Sequence, residues 1–493
     1  MIEELRKIAK HSGIYGIGLI SSKAVGFLMI PVYTRFLVPG DYGILELLDL
    51  LTFFATNFAT MGIEAAVFRF YAAYESEQDK EEVIATALLY VTGGSFLCAL
   101  GLFIGAEPIA RLVLGSAAVA RYVRIVSLTF FFSNLCEVPL AYWRAQERSA
   151  LYVSVGLART VLGAASIAVA LAGLKWGVSG VLYANLLSNA VAGVGLAGAV
   201  LYYLPKKVVL HKLREMLRYS APLVISGLGS FVLVFSDRFF LRRYGDLTQV
   251  GIYALGYKLA MIVNLVVGGP FRLTWQWRQF ELAKKENAKA VYAKIQVYQL
   301  LASVFVGLAV ALLAKDALRI LAPTTYWGAS QIVPIIALCY ILDNVRSVIL
   351  SGVLIQRLTQ LLIPIAVAAA LTNIALNFLL IPRFLAMGAA VATLLSYLAY
   401  LAMAHFVAQR VYFIRYEYAR NLAVLASAGI VYAASGLFKL NLAPSILVNL
   451  LLLSVFAVAS IRLLDREERS LVWQTGANLV RRLRGGMEGI EKA

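Results

Sequence analysis

Apolar runs of about twenty residues, the length needed to cross bilayer hydrocarbon, follow one another along nearly the whole chain with short polar stretches between them. They predict spans at 13–38, 43–68, 83–105, 119–143, 151–172, 178–202, 219–241, 250–275, 291–314, 329–352, 358–381, 387–409, 420–437 and 441–461. Lipid offers no partner for an open strand edge, so each span is expected to be a helix. The fold class that follows is an all-α polytopic membrane protein of about 14 transmembrane helices. No connector is long enough for an independent domain. The first run is too long for a signal h-region, and no small-residue cleavage site precedes Tyr33, so the first span is expected to be retained.

Basic residues give the orientation. With the N-terminus inside, inner connectors and tails collect 28 Lys and Arg against 11 at the outer side, which predicts both termini in the cytoplasm. The acidic stretch 75–82 runs against the pattern, but acids weigh little in this rule. The segment 203–218 (YLPKKVVLHKLREMLR) stands out, with five bases against Glu215 alone.

An offset of 208 residues aligns Ser12 with Ser220, Arg35 with Arg243, Gly43-Ile44 with Gly251-Ile252, and Gly180 with Gly388, each of the last two preceding a Leu-Leu-Ser. Four matches at one shift predict a duplication. Six spans is an even number, so the copies enter the membrane from the same side, as parallel repeats about an axis along the membrane normal. The predicted organisation is a six-helix bundle at 1–202, a basic cytoplasmic connector at 203–218 and a second six-helix bundle at 219–409. Two added spans at 410–462 and a basic cytoplasmic tail at 463–493 complete it.

Composition narrows the function classes. The chain is 61% apolar and 15% charged, with a mean hydropathy of +0.79, where soluble domains carry about 25% charged residues. A net charge of +18 in such a chain reflects cytoplasmic loops facing anionic membrane lipids rather than nucleic acid. Cys98, Cys136 and Cys339 lie in apolar runs and read as small buried hydrophobes. Three scattered histidines give no metal pattern, and no GxxxxGK[ST] loop occurs, so neither a metalloenzyme nor an ATPase is expected.

The informative residues are the charges inside spans. Lys23 lies eleven residues into the first span, about 16 Å along the axis, too deep for easy snorkelling; it should face a partner or water. Arg159, Lys258 and Arg272 are similarly deep, whereas Arg238 and Arg346 lie nearer span ends. Among the acids, Glu46 and Asp49 are one turn apart, and Glu64 is expected to return to the same face after five turns. Asp237 adjoins Arg238, Asp343 is one turn before Arg346, and Glu137 lies in span four. These acids either neutralise the bases in a packed bundle or leave Lys23, Lys258 and Arg272 on the wall of an aqueous cavity suited to an anionic cargo. Carboxylates within about 4 Å of all three would favour a packed scaffold. Trp275 and Trp277, in FRLTWQWRQF, are belt aromatics or a platform for a sugar or headgroup. Gly268-Gly269-Pro270 predicts a kink.

The block HSGIYGIGLISSKAVGFLMIPVYTRFLVPGDYGILELL, the stretch SDRFFLRRYGDLTQVGIYALGYKL from Ser236, and the span layout are similar to one group of transporters. These are the polysaccharide (O-antigen and exopolysaccharide, Wzx-like) flippases of the multidrug/oligosaccharidyl-lipid/polysaccharide exporter superfamily. The resemblance implies a V-shaped pair of bundles that moves an undecaprenyl-diphosphate-linked glycan from the cytoplasmic to the periplasmic leaflet of a bacterial or archaeal cytoplasmic membrane by alternating access. It implies a monomeric transport unit, polysaccharide polymerase or assembly proteins as partners, and no catalysis. It also implies a cationic cavity lined by spans one, two, seven and eight. By span and burial, Lys23, Arg238, Lys258, Arg272, Arg159 and Trp275 are the substrate-binding candidates. Asp49 and Glu64 are candidates for Na⁺ or H⁺ coupling, with no other cofactor expected. Lipid II flippases of the superfamily carry several arginines around span one, where this chain offers Lys23 and Arg35. Its drug exporters are expected to use a carboxylate in span one, and none occurs here between Glu4 and Asp41.

Overall fold

The computed structural model describes residues 18, 21–203, 208–438, 440–465 and 468–470. Among them every regular element is a helix, and ten helices are long and apolar enough to cross a membrane. One of the ten, 359–411, holds two predicted spans. Its α-helical part, α16 (Leu362–Val411), is broken at Leu385, with φ 50° and ψ −128°. The 3.3 Å hydrogen bond from Asn373 to Ser396 demands a reversal there, since 23 residues of straight helix would separate them by about 35 Å. The first predicted span is helical from residue 21 to Phe36 apart from a turn at Met29, ending in α1 (Ile30–Phe36).

Spans two and eight are each interrupted part-way along. Span two divides into α2 (Pro39–Thr60) and α3 (Ile63–Ala73) at Met61 and Gly62, both left-handed, with φ 47° and 65°. Gly62 suits that conformation, and a side chain there would begin 2.9 Å from Val224. Span eight divides into α11 (Leu247–Ala260) and α12 (Gly269–Leu282) around a π-turn at Asn264–Gly268, followed by Pro270, which cannot donate to the helix ladder. At the 208-residue shift Met61 and Gly62 correspond to Gly269 and Pro270, which are already helical in α12, so the two interruptions lie near each other in the alignment without coinciding. Where a kink was expected, at 268–270, the backbone is helical and directly follows the π-turn. The break at Met61 corrects one expectation: Glu64 does not share a helical face with Glu46 and Asp49, because two left-handed residues reset the phase.

The halves meet where α2 crosses α11, at the end expected to lie outside. A Cβ on Gly43 would sit 2.1 Å from the Leu247 carbonyl oxygen, and one on Gly251 would sit 1.9 Å from that of Pro39. The two glycines, 208 residues apart, thus face residues that are themselves 208 apart, as a two-fold axis requires. Around this crossing, Thr34 donates to the Leu321 carbonyl at 2.6 Å and Tyr326 to that of Leu37 at 3.0 Å. Arg242 donates to the Leu114 carbonyl at 2.8 and 3.0 Å. Toward the opposite end the principal contacts between halves come from α10 (Leu210–Tyr244).

That helix changes the reading of two segments. Residues 210–218, taken as connector, are its first turns, and Lys212 is buried rather than facing headgroups. Its ammonium lies 2.7 Å from Asp79 and 2.9 Å from Glu82 at the start of α4 (Glu77–Ile104). Farther along, Arg69 stacks on Tyr219 and Phe53 on Phe231, while the far half of α10 packs on α16 and α11. One helix thus belongs to both halves.

The added spans, α17 (Tyr418–Ser435) and α18 (Leu442–Arg462), pack on α13 (Ala288–Leu321). Asp316 accepts there from Ser445 and Asn449. Beyond α18, Glu468 is 4% exposed and accepts from Tyr298 at 2.7 Å and from Arg420, with Lys294 at 3.5 Å. The three cysteines are free; Cys136 and Cys339 are buried and Cys98 is half-buried.

Candidate functional site

Polar side chains in lipid-spanning helices turn toward one another or toward water, since hydrocarbon gives them no partner. Two helices in the N-terminal half do this at one height. Asn185, Ser188 and Asn189 occupy one face of α9 (Gly177–Tyr203) by their i, i+3, i+4 spacing. They look across at Arg159 of α8 (Ser149–Ala168). Arg159 donates to Asn189 at 2.6 Å and to Ser133 at 2.9 Å, two neutral acceptors that leave its charge uncompensated by direct contact.

Between these helices and the first span lies a cavity of about 390 Å³. Its polar lining is Tyr33, Arg159, Thr160, Asn185, Ser188 and Asn189, with Lys258 reaching in from α11 of the other half; among the described residues no carboxylate contributes. Lys258 donates to the Tyr42 hydroxyl at 3.3 Å and lies 5.9 Å from the Tyr33 ring. Glu46 and Asp49 act on it electrostatically from behind, and Asp49 is exposed. The cavity therefore joins two cations with hydroxyl and amide groups, a donor set suited to an anionic, hydroxylated molecule.

The other candidates are elsewhere. Lys23 is exposed, does not line the cavity, and has no ion-pair partner among the described residues. Arg238 is 2% exposed and closed in: it is 2.8 Å from Asp237, 3.2 Å from Glu46, and over the Tyr257 ring. The second Asp237 oxygen accepts from Tyr253 and Thr393. A group so enclosed ties α10 to α2 and is not open to cargo. Arg272 sits 3.6 Å from Asp343, which also holds Arg346 at 2.6 Å. Of Lys23, Lys258 and Arg272, then, only Arg272 has a carboxylate within ion-pair distance among the described residues, so the packed-scaffold criterion is not met. Trp275 is buried, donates to Ser351 at 2.9 Å and faces a separate hollow between α12 and α13. Glu64 pairs with Arg144 at 2.8 Å.

Sequence reasoning had both Arg159 and Lys258 among its cavity candidates, but grouped them with Lys23, Arg238, Arg272 and Trp275, which do not line this cavity. It missed the amides around Arg159 and Lys258, although the Asn185-Ser188-Asn189 face was a readable signal. A second polar cluster, in which Ser236, Asn373, Asn377 and Ser396 bond one another at 2.9–3.3 Å, was likewise unremarked. It fastens α10 to both arms of α16, as interhelical hydrogen bonds do in lipid.

A family model described as polysaccharide biosynthesis protein matches residues 8–275, more than half of the chain. The chain belongs to that family. Its similar relatives include the Lsg locus putative protein 1 of Haemophilus influenzae, 24% identical over 276 residues, which are 53% of this chain and 63% of the relative. Another is the succinoglycan biosynthesis transport protein ExoT of Rhizobium meliloti, 26% identical over 49% of this chain and 47% of the relative. The chain thus spans about half to somewhat under two thirds of the length of these relatives. Among solved structures, the lipid II flippase MurJ in an inward closed conformation shares the fold at a TM-score of 0.72 and 14% identity, over 90% of this chain and 98% of that one. An inward-facing multidrug resistance MATE family transporter of the MOP superfamily gives 0.61 at 14% identity, over 79% and 94%. The chain is a multi-pass membrane protein with the fold these transporters share.

Proposed function

We propose that the protein is a flippase that carries an undecaprenyl-diphosphate-linked oligosaccharide from the cytoplasmic to the periplasmic leaflet, with both termini in the cytoplasm. The observation that carries this reading is the convergence of Arg159 and Lys258 on one polar cavity whose lining, among the described residues, holds no carboxylate. A diphosphate would bridge the two cations, since charge-assisted hydrogen bonds are the strongest a wet site offers. The amides and hydroxyls of Thr160, Asn185, Ser188 and Asn189 would serve the first sugar, and the prenyl chain would stay in lipid. Membership of the polysaccharide biosynthesis family supports a glycan cargo, and the name of the relative ExoT supports transport. Lys23 and Arg272 have no part in this site.

Alternating access is supported by the symmetric crossing at Gly43 and Gly251, which closes the end expected to be outer. Glu64 and Arg272 are 208 residues apart and each follows its helix break. They are opposite charges at equivalent positions on the two elements that flank the axis. Closing the inner end would bring them together and exchange their partners Arg144 and Asp343. Asp49, exposed beside Lys258, is the carboxylate best placed for Na⁺ or H⁺ coupling.

The test is Arg159→Ala with Lys258→Ala, scored at equal protein level for surface polysaccharide and for accumulated lipid-linked oligosaccharide. Output should fall and the lipid-linked precursor rise. Normal output from the double variant refutes the site. For the coupling, transport in vesicles that survives collapse of both ion gradients rules it out.

A further inference from the structure

Away from the central cavity, a hollow of about 450 Å³ opens between α12 and α13, lined by Phe271, Thr274, Trp275, Arg278, Tyr298 and Gln299 among mostly apolar neighbours. Gln299 is 4% exposed, and its Nε2 has no hydrogen-bond partner among the described residues. Native structures rarely leave a buried amide N–H unpaired, because the lost solvation is not recovered. Trp275 differs: its N–H is already satisfied by Ser351, and its ring, stacked 5.4 Å from that of Phe271, offers only apolar surface. The hollow therefore asks for a long apolar body carrying one acceptor at the depth of Gln299.

The rim supplies a charge. Arg278 is about half exposed and lies 2.5 Å from the equally exposed Glu281, a pairing that binds weakly in water and leaves guanidinium N–H groups free for a second acceptor. Tyr292 donates to the Gln279 carbonyl, which puts Tyr292 level with Arg278. Gln299 is seven residues farther along α13, about 10 Å deeper by helical rise. Side chains lean toward the N-terminus of their own helix. In this consecutive pair of helices the lean carries Arg278 and Gln299 toward each other and shortens the gap.

We propose that this hollow binds one anionic glycerophospholipid of the adjoining leaflet. Its phosphate meets Arg278, an acyl ester carbonyl accepts from Gln299 Nε2, and the chain below it runs along Phe271 and Trp275. An isoprenyl diphosphate would also satisfy the apolar walls and Arg278. It carries no ester carbonyl beneath its phosphates, however, and would leave Gln299 unpaired. The site stands apart from the transport reading, because it is measured as binding to the purified chain.

The test titrates the full-length protein in detergent with phosphatidylglycerol, with its diether analogue, and with undecaprenyl diphosphate, and reads each affinity by native mass spectrometry. The diester should bind about tenfold more tightly than the diether, the worth of one buried hydrogen bond whose loss strands a donor. Gln299→Leu should erase that difference while leaving diether binding in place, and Arg278→Gln should weaken both lipids alike. Equal binding of diester and diether to the unaltered protein overturns the proposal, as does a preference for undecaprenyl diphosphate. A diester preference that survives Gln299→Leu arises elsewhere and overturns it as well. The comparison of lipids on the unaltered protein needs no variant, so a misfolded substitution cannot mask the answer.

Discussion

Adding one methyl group at Gly43 and one at Gly251 should unlock the end of the molecule at which the halves cross. The new Cβ atoms would lie 2.1 and 1.9 Å from the carbonyl oxygens of Leu247 and Pro39, and backbone oxygens cannot swing aside as a side chain tip can. Overpacking of this kind costs about 1–3 kcal/mol per site, and the two sites are in contact, so their costs will not simply add. Alanine also gains up to about 1 kcal/mol over glycine in helix propensity. That gain is common to every conformation in which α2 and α11 remain helical, so it cancels from the ratio of conformations. The steric cost does not cancel, because it exists only while the helices cross at this distance. One site therefore shifts the balance toward separation by about 5- to 150-fold.

Disulfide trapping reads that balance directly. A Cβ on Gly40 would lie 3.9 Å from Leu247 Cβ, within the span a disulfide bridges. In a background without the native cysteines, the pair Gly40→Cys and Leu247→Cys should oxidise readily. Adding Gly43→Ala and Gly251→Ala should lower the yield severalfold and reduce polysaccharide output at equal protein level. Unchanged trapping together with unchanged output would refute the claim that this crossing holds the end closed.

Further outcomes separate structural charges from working ones. Arg238→Met should destabilise the purified protein by about 3–5 kcal/mol, because the buried Asp237 would lose its counter-charge, while Lys23→Ala should leave the melting temperature within a degree or two; equal melting of the two variants contradicts the burial argument. Glu64→Arg or Arg272→Glu alone should each impair transport, and the double reversal should recover more than either, since only a meeting between the two residues is restored when both local pairs are lost; a double variant no better than the singles refutes the meeting. Burial alone would raise the Glu468 carboxyl, but hydrogen bonds from Arg420 and Tyr298 outweigh it and pull the group down to about 2. The folded-state value lies below the ordinary one, so its contribution is present above about pH 4.5 and is lost as pH falls toward 2. Hydrogen exchange at Tyr298 and Arg420 should accelerate across that window, and Glu468→Gln should remove the dependence.

Much of this architecture could be read before any coordinates, because each legible feature rests on local chemistry. Hydrocarbon thickness sets span length, the unpaired backbone forbids strands in lipid, and a constant 208-residue shift survives as matched glycines and serines. Gly-Gly-Pro was an equally local signal, and the π-turn at Asn264–Gly268 leads into it. The break at Met61 had no such signal, because a left-handed methionine beside Gly62 leaves little trace in the sequence, and with it went the phase that placed Glu64 beside Asp49.

What the tertiary structure alone decided is which charges are spent and which are free. Depth along a helix is a property of the sequence, but the partner of a deep charge comes from another helix tens or hundreds of residues away. Arg238 and Lys258 are both bases within neighbouring spans. The first is enclosed by Asp237 and Glu46, while the second reaches across the halves to a cavity built with Arg159. Burial cost makes both arrangements acceptable in lipid, one by neutralisation and one by water. Only the packing of α2, α8, α9, α10 and α11 against one another selects between them.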